Sequence, residues 1–171
     1  VPLVVYDAAT GLLALPEPTE AVDFAGFDLA QLDTDEQLEV VVARTNGEVA
    51  VFDPVLRSFE PPIAMIDGIV LRHRIADVTR DGVVDVIAAV FAQGLVVWNG
   101  GAGAVTWSSP WLGDYPALDN TLWIANLDDD PLVEIAVGFQ AGIAVFEAPL
   151  VLLLRAGFET GDTSEWSSTQ P

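Results

Sequence analysis

The stretch Ile75-Ala76-Asp77-Val78-Thr79-Arg80-Asp81-Gly82-Val83-Val84-Asp85-Val86-Ile87 reads as a short strand, an acidic loop and then a wholly apolar strand. Its oxygen-bearing side chains, Asp77, Thr79, Asp81 and Asp85, are spaced so that a tightly turning loop converges them on one point. A hard divalent cation requires that arrangement. Ala30-Gln31-Leu32-Asp33-Thr34-Asp35-Glu36-Gln37-Leu38-Glu39-Val40-Val41 repeats it upstream, and Ala125-Asn126-Leu127-Asp128-Asp129-Asp130-Pro131-Leu132-Val133-Glu134-Ile135-Ala136 repeats it downstream. Ala30 and Ala76 are 46 residues apart, Ala76 and Ala125 are 49 apart, so the chain is an array of repeats.

Working outward, each loop is preceded by a short strand: Gly26 to Ala30, Arg72 to Ala76, Thr121 to Ala125. An almost continuous apolar run follows it: Val40 to Ala43, Val86 to Val90, Ile135 to Val137. Such runs suit strands covered on both faces. A glycine turn comes next, at Asn46-Gly47, Gln93-Gly94 and Ala141-Gly142; the first predicts a hairpin with positive φ at both central residues. The third strand ends in an aromatic and then a polar residue, as in Phe52-Asp53, Trp98-Asn99 and Phe146-Glu147. With Tyr6-Asp7, the aromatics recur at intervals of 46, 46 and 48. A fourth strand closes each unit, over Arg57 to Glu60, Val105 to Ser108 and Leu150 to Leu154, with Pro16, Pro61 and Pro110 marking edges.

Four-stranded antiparallel units of this length, covered by their neighbours, are the blades of a β-propeller, so the predicted fold is all-β and propeller-type. Residues 1–154 form the repeat domain: an N-terminal half blade at 1–20 and full blades at about 21–66, 67–115 and 116–154. Residues 155–171 are a polar tail, read as a docking or strand-donating segment through Phe158 and Trp166. Propellers close with about four to eight blades. Three and a half therefore predict completion by the tail, completion by a second chain, or an excerpt of a longer protein.

The acidic loop with its apolar strand resembles the FG-GAP and VCBS-type repeats of integrin α-subunits and secreted bacterial propellers, over roughly residues 1–154. That resemblance implies calcium as cofactor, held by alternate loop side chains and one backbone carbonyl. The implied ligands are Asp77, Thr79, Asp81, Val83 and Asp85 in the middle copy. In the first copy they are Gln31, Asp33, Asp35, Gln37 and Glu39; in the third, Asn126, Asp128, Asp130, Leu132 and Glu134. Every copy keeps three carboxylates and one neutral oxygen. The glycine of the family pattern, Gly82 here, is replaced by Glu36 and Pro131. Because proline fixes φ near −65°, the third loop is expected to turn differently.

Charge and composition narrow the function. The six basic side chains are all arginine, against 26 acids, for a formal net charge of −20. Nucleic acid and anionic membranes both need a positive surface, so neither is an expected partner. Divalent cations are the natural counterweight. No cysteine is present, which excludes disulfides and thiolate chemistry. The chain begins at Val1 rather than Met, as a processed or excised product would, and its longest compact apolar run, Pro149 to Leu154, is too short to span a bilayer.

The expected function is a secreted, non-enzymatic structural or binding protein, extracellular or at the cell surface. Calcium-stabilised blades join other copies by strand completion into a head-to-tail ring or filament. The alternative is a ligand- or carbohydrate-binding, adhesin-like module, its partner a glycan or another extracellular protein. A propeller glycosidase or lyase ranks behind both, since no convergent set of catalytic roles can be named. His73, the only histidine, is expected in the core or on the channel side. Arg72, Arg74 and Arg80 pair locally or form a basic docking patch. Trp98 and Trp107 read as core, and Trp111 with Tyr115 as packed over a blade.

Overall fold

A computed structural model of the chain describes residues 9–10, 24–113, 116, 121–128, 130–140 and 142–147, together with the backbone of 151–157. The half blade expected at 1–20 lies outside these residues apart from Ala9 and Thr10, as do Tyr115, Phe158, Trp166 and the tail from 158 onward. Among the described residues there is no helix, and three antiparallel sheets follow one another along the chain.

The first sheet holds β1 (Phe24–Ala30), β2 (Glu39–Arg44), β3 (Glu48–Asp53), β4 (Ser58–Phe59) and β5 (Ala64–Met65). The second holds β6 (Val70–Ala76), β7 (Asp85–Val90), β8 (Gly94–Asn99) and β9 (Ala104–Ser108). The third holds β10 (Leu122–Ala125), β11 (Glu134–Phe139), β12 (Gly142–Glu147) and β13 (Val151–Gly157). Within each sheet the strands pair in chain order, except that β5 returns to β3 beyond the end of β4. The last strand runs to Gly157, past the expected end at Leu154.

Pro61-Pro62 explains the split of the fourth strand into β4 and β5. Phe59 and Ser58 pair with Phe52 and Asp53, the two prolines interrupt, and Ala64 and Met65 resume opposite Val49 and Glu48. A residue without an N–H cannot continue the ladder, so the chain bulges and rejoins.

The Asn46-Gly47 hairpin differs from the expected two-residue turn. Ala43 pairs with Val49, and the Gly47 N–H donates to the Arg44 carbonyl at 3.0 Å, leaving a three-residue loop. Only Gly47, at φ 90°, takes a positive φ; Asn46 does not. A turn closed by a left-handed glycine is the usual three-residue solution. Glycine is also required sterically, because a Cβ there would lie 1.8 Å from the Ile66 carbonyl oxygen.

The middle sheet is covered on both faces. Ile87, Ala89, Leu95 and Val97 point one way and pack with Leu122, Ile135, Val137, Ala144 and Phe146 of the third sheet. Val86, Ala88, Val90 and Val96 point the other way and pack with Val41, Ala43, Val49 and Val51 of the first. Side chains alternate across a strand, so a strand between two sheets must be apolar at every position. This is why all six residues of β7 are buried. Each fully buried aliphatic side chain there contributes about 1.5–3 kcal/mol.

The first strands also tie the sheets together. His73 on β6 is 1 % exposed, with Nε2 3.3 Å from the Val41 carbonyl, so it belongs to the core between the first two sheets. Arg72 reaches back to β1, donating to the Ala25 carbonyl at 2.8 Å, while Arg74 lies 5.7 Å from the ring centre of Trp123 on β10. Trp98 and Trp107 are half-buried against the two cores, the latter edge-on to Phe146 at 5.2 Å. Trp111 is not packed over a blade: it is 60 % exposed.

Candidate metal centres

Each acidic loop joins the first strand of a sheet to the second, so its last acid begins the second strand. That acid, Glu39, Asp85 or Glu134, is buried in all three copies. It accepts from the N–H two residues after the first strand: Leu32, Val78 and Leu127 respectively. One side chain thus closes each loop on itself. Beyond that, the copies part.

In the first loop Asp33 Oδ1 accepts from the Asp35 N–H at 2.8 Å, and Asp35 Oδ1 from the Gln37 N–H at 2.7 Å. The third loop does the same. Asp128 Oδ1 accepts from the Asp130 N–H at 2.9 Å, and Asp130 Oδ1 from the Leu132 N–H at 2.7 Å. These bonds fix the orientation of both carboxylates in each loop. Asp33, Asp35 and Glu39 bring carboxylate oxygens within 4.8 Å of one another, and so do Asp128, Asp130 and Glu134.

The neutral side chains Gln31 and Asn126 fold over their own loops, the Gln31 amide donating to the Asp35 carbonyl and the Asn126 amide to that of Asp130. Turning either amide over presents its oxygen at the same spot. Each cluster keeps one buried carboxylate oxygen without a hydrogen-bond partner, Glu39 Oε1 in the first and Glu134 Oε1 in the third. A buried ionised oxygen without a partner is costly, and a bound cation relieves it. The two clusters therefore fit a metal ion, and their all-oxygen donor set suits a hard one.

The middle loop is built differently. Both Asp77 oxygens accept from backbone N–H groups, of Asp81 and Gly82. Asp85 Oδ2 takes the N–H groups of Val78 and Thr79, and its Oδ1 takes Gly100 N–H at 3.1 Å and the Thr79 hydroxyl at 3.3 Å. Asp81 Oδ1 accepts from the Val83 N–H, and its Oδ2 from the Asn99 amide at 2.9 Å. All six carboxylate oxygens are taken. The Asn99 amide, helped by the Val83 N–H, holds the Asp81 carboxyl below its ordinary pKa.

Backbone geometry accompanies the difference. Arg80 (φ 60°) and Gly82 (φ 84°) turn the middle loop through left-handed conformations, whereas neither Glu36 nor Pro131 has positive φ. The third loop was expected to stand apart because of Pro131. Instead it turns like the first, and the loop that has the glycine is the odd one.

Three further residues belong to this region: Asp53, Asn99 and Glu147, the polar residue that ends the third strand of each sheet. Glu134 pairs directly across the ladder with Glu147. The registers Val40 to Phe52 and Val86 to Trp98 put Asp53 and Asn99 beside Glu39 and Asp85 in the same way. Partial burial pushes the Glu147 carboxyl up, and the carboxylates of Asp130, Asp128 and Glu134 add to that. The signal was present in the sequence as the recurring aromatic–polar pair, but spacing alone marks it only as a strand end.

No family model, curated protein or solved structure matches the chain.

Proposed function

We propose that this chain is a non-enzymatic, calcium-stabilised structural or binding module of the extracellular space, its three sheets acting as blades of a β-propeller akin to the FG-GAP and VCBS-type repeats. The observation that carries the reading is the pair of buried, unpartnered oxygens, Glu39 Oε1 and Glu134 Oε1, each inside a three-carboxylate cluster. Calcium takes six to eight oxygens, and flexible extracellular sites bind it at about 10⁻⁴–10⁻³ M. Asp33, Asp35 and Glu39 with Gln31, or Asp128, Asp130 and Glu134 with Asn126, supply most of such a shell; water and a backbone carbonyl (Gln37 or Leu132) complete it. The ion would neutralise like charges that the fold crowds together. Against a net charge of −20, that neutralisation favours the compact chain.

The blades of an incomplete propeller join others at their exposed faces and edges, and an assembly of copies by strand completion is the natural form of the module. Thermal unfolding in calcium and in chelator tests the metal reading. Free calcium at a hundredfold excess over its dissociation constant stabilises by about 2.7 kcal/mol per site, so the midpoint should rise by several degrees. Equal midpoints would overturn it. Light scattering on the same samples reads the assembly, and monomer throughout would refute strand completion.

A second reading, a ligand-binding module, draws on an open cleft of about 630 Å³ between the first strands, lined by Phe27, Asp28, Arg72, Arg74 and Trp123. Phe27 and Trp123 expose 62 % and 60 % of their surface there. Aromatic planes beside arginine suit an acidic sugar ring.

A further inference from the structure

The three loops differ in what satisfies their acids, and the difference traces to the residue that ends the third strand. We propose that the middle loop is not a cation site but an amide-pinned turn, in which the Asn99 amide donates hydrogen bonds at the place an ion takes in the outer loops. The inference rests on the reading of the outer loops as cation sites.

Asn99 is 7 % exposed and its amide is fixed in orientation. Its Oδ1 accepts from the Ala102 N–H, which leaves Nδ2 facing the loop. That nitrogen donates to Thr79 Oγ1 at 2.6 Å and to Asp81 Oδ2 at 2.9 Å. Both of its N–H donors are used, and the two acceptors belong to the third and fifth loop positions, which hold Asp33 and Asp35, or Asp128 and Asp130, in the outer copies. A cation would have to displace the amide and compete with seven other carboxylate hydrogen bonds.

The segment after Asn99 is shaped to allow this. The Gly100 N–H donates to Asp85 Oδ1, and a Cβ on Gly100 would lie 2.1 Å from the Val84 carbonyl oxygen. A Cβ on Gly101 would lie 2.5 Å from Asp81 Oδ2. Two successive glycines let the β8–β9 turn close against the loop. The corresponding positions after Asp53 and Glu147 are Pro54-Val55 and Ala148-Pro149. Asp53 and Glu147 present carboxyl oxygens where Asn99 presents an amide NH2. Asp53 Oδ1 instead accepts from the Val55 and Leu56 N–H groups, and Glu147 sits across from Glu134 as a fourth carboxylate. One residue type at one register position therefore sets whether a loop gains a further carboxyl (Asp, Glu) or has its acids hydrogen-bonded from within (Asn).

Calcium titration of the full chain by calorimetry tests this. The expected count is two ions per chain, one lost in Asp35→Asn and one in Asp130→Asn, with no loss in Asp81→Asn or Thr79→Val. Asn99→Asp should open the middle loop and add a third ion. Asn99→Ala should lower the melting midpoint equally in calcium and in chelator, whereas Asp35→Asn and Asp130→Asn should lower it only in calcium. A count reduced by Asp81→Asn, or a folded Asn99→Asp that binds no additional ion, overturns this inference and leaves the outer-loop reading standing. A chain that binds no calcium overturns both.

Discussion

At Glu39 and Glu134 the two oxygens of one carboxylate have different fates. Both start a second strand and both close their loop through one oxygen, yet the other oxygen is left inside the acid cluster. Asp85, one carbon shorter, spends both oxygens on N–H groups and the Thr79 hydroxyl. His73 shows residue-scale chemistry of another kind. Burial holds its imidazole below the ordinary pKa, outweighing the Val41 carbonyl and the Asp28 charge, and its Nδ1 has no hydrogen-bond partner to receive a second ring proton. The unfolded chain takes up that proton as pH falls through about 6.5, the folded chain only at lower pH. Stability is thus full above that pH and declines below it, by up to about 1.4 kcal/mol per unit. Urea midpoints measured from about pH 7.5 to 5.5 should slope downward, and His73→Leu should flatten that slope; an unchanged slope would assign it elsewhere. The alternating oxygens of the loops were legible from spacing, because ligand type and periodicity are local. Which oxygens remain unsatisfied was not, because partners such as Asn99 and Gly100 come from a different hairpin.

At the scale of elements, strand order and the main hairpins follow from apolar runs punctuated by glycine. Turn geometry does not. Asn46-Gly47 reads as a tight two-residue hairpin, but the ladder from Val40 to Ala43 leaves three residues in the loop, and the segment at Ile66 closes over Gly47. Gly47→Ala should therefore cost roughly 2–4 kcal/mol, from left-handed strain and from displacement of the Ile66 carbonyl. Gly103→Ala, at φ 63° with open space around it, should cost only the backbone strain, about 1–2 kcal/mol. Chemical denaturation of the two variants checks the contrast, and equal losses would show that the Ile66 contact yields freely. The break at Pro61-Pro62 was marked as an edge by composition, but the return of β5 to β3 was hidden. Ala64-Met65 is too short to carry a period of its own.

For the molecule as a whole, the arrangement is a middle sheet between two others. Ile87 faces the third sheet and is fully buried, so Ile87→Ala should lower stability by about 2–5 kcal/mol through lost burial and the cavity left behind. Ile143, on an outer face of the third sheet and 38 % exposed, should lose under about 1.5 kcal/mol on the same change. Urea midpoints of the two variants separate the faces, and equal losses would contradict the sandwich.

From its sequence alone this chain is determined to be an all-β repeat with an acidic loop before each apolar strand, because periodicity, turn residues and charge are carried by neighbours in the chain. The tertiary structure alone decided which loops keep unpaired carboxylate oxygens and which sheet is covered on both sides. Those depend on groups that meet across hairpins and between sheets, where register and distance, not spacing along the chain, set the outcome.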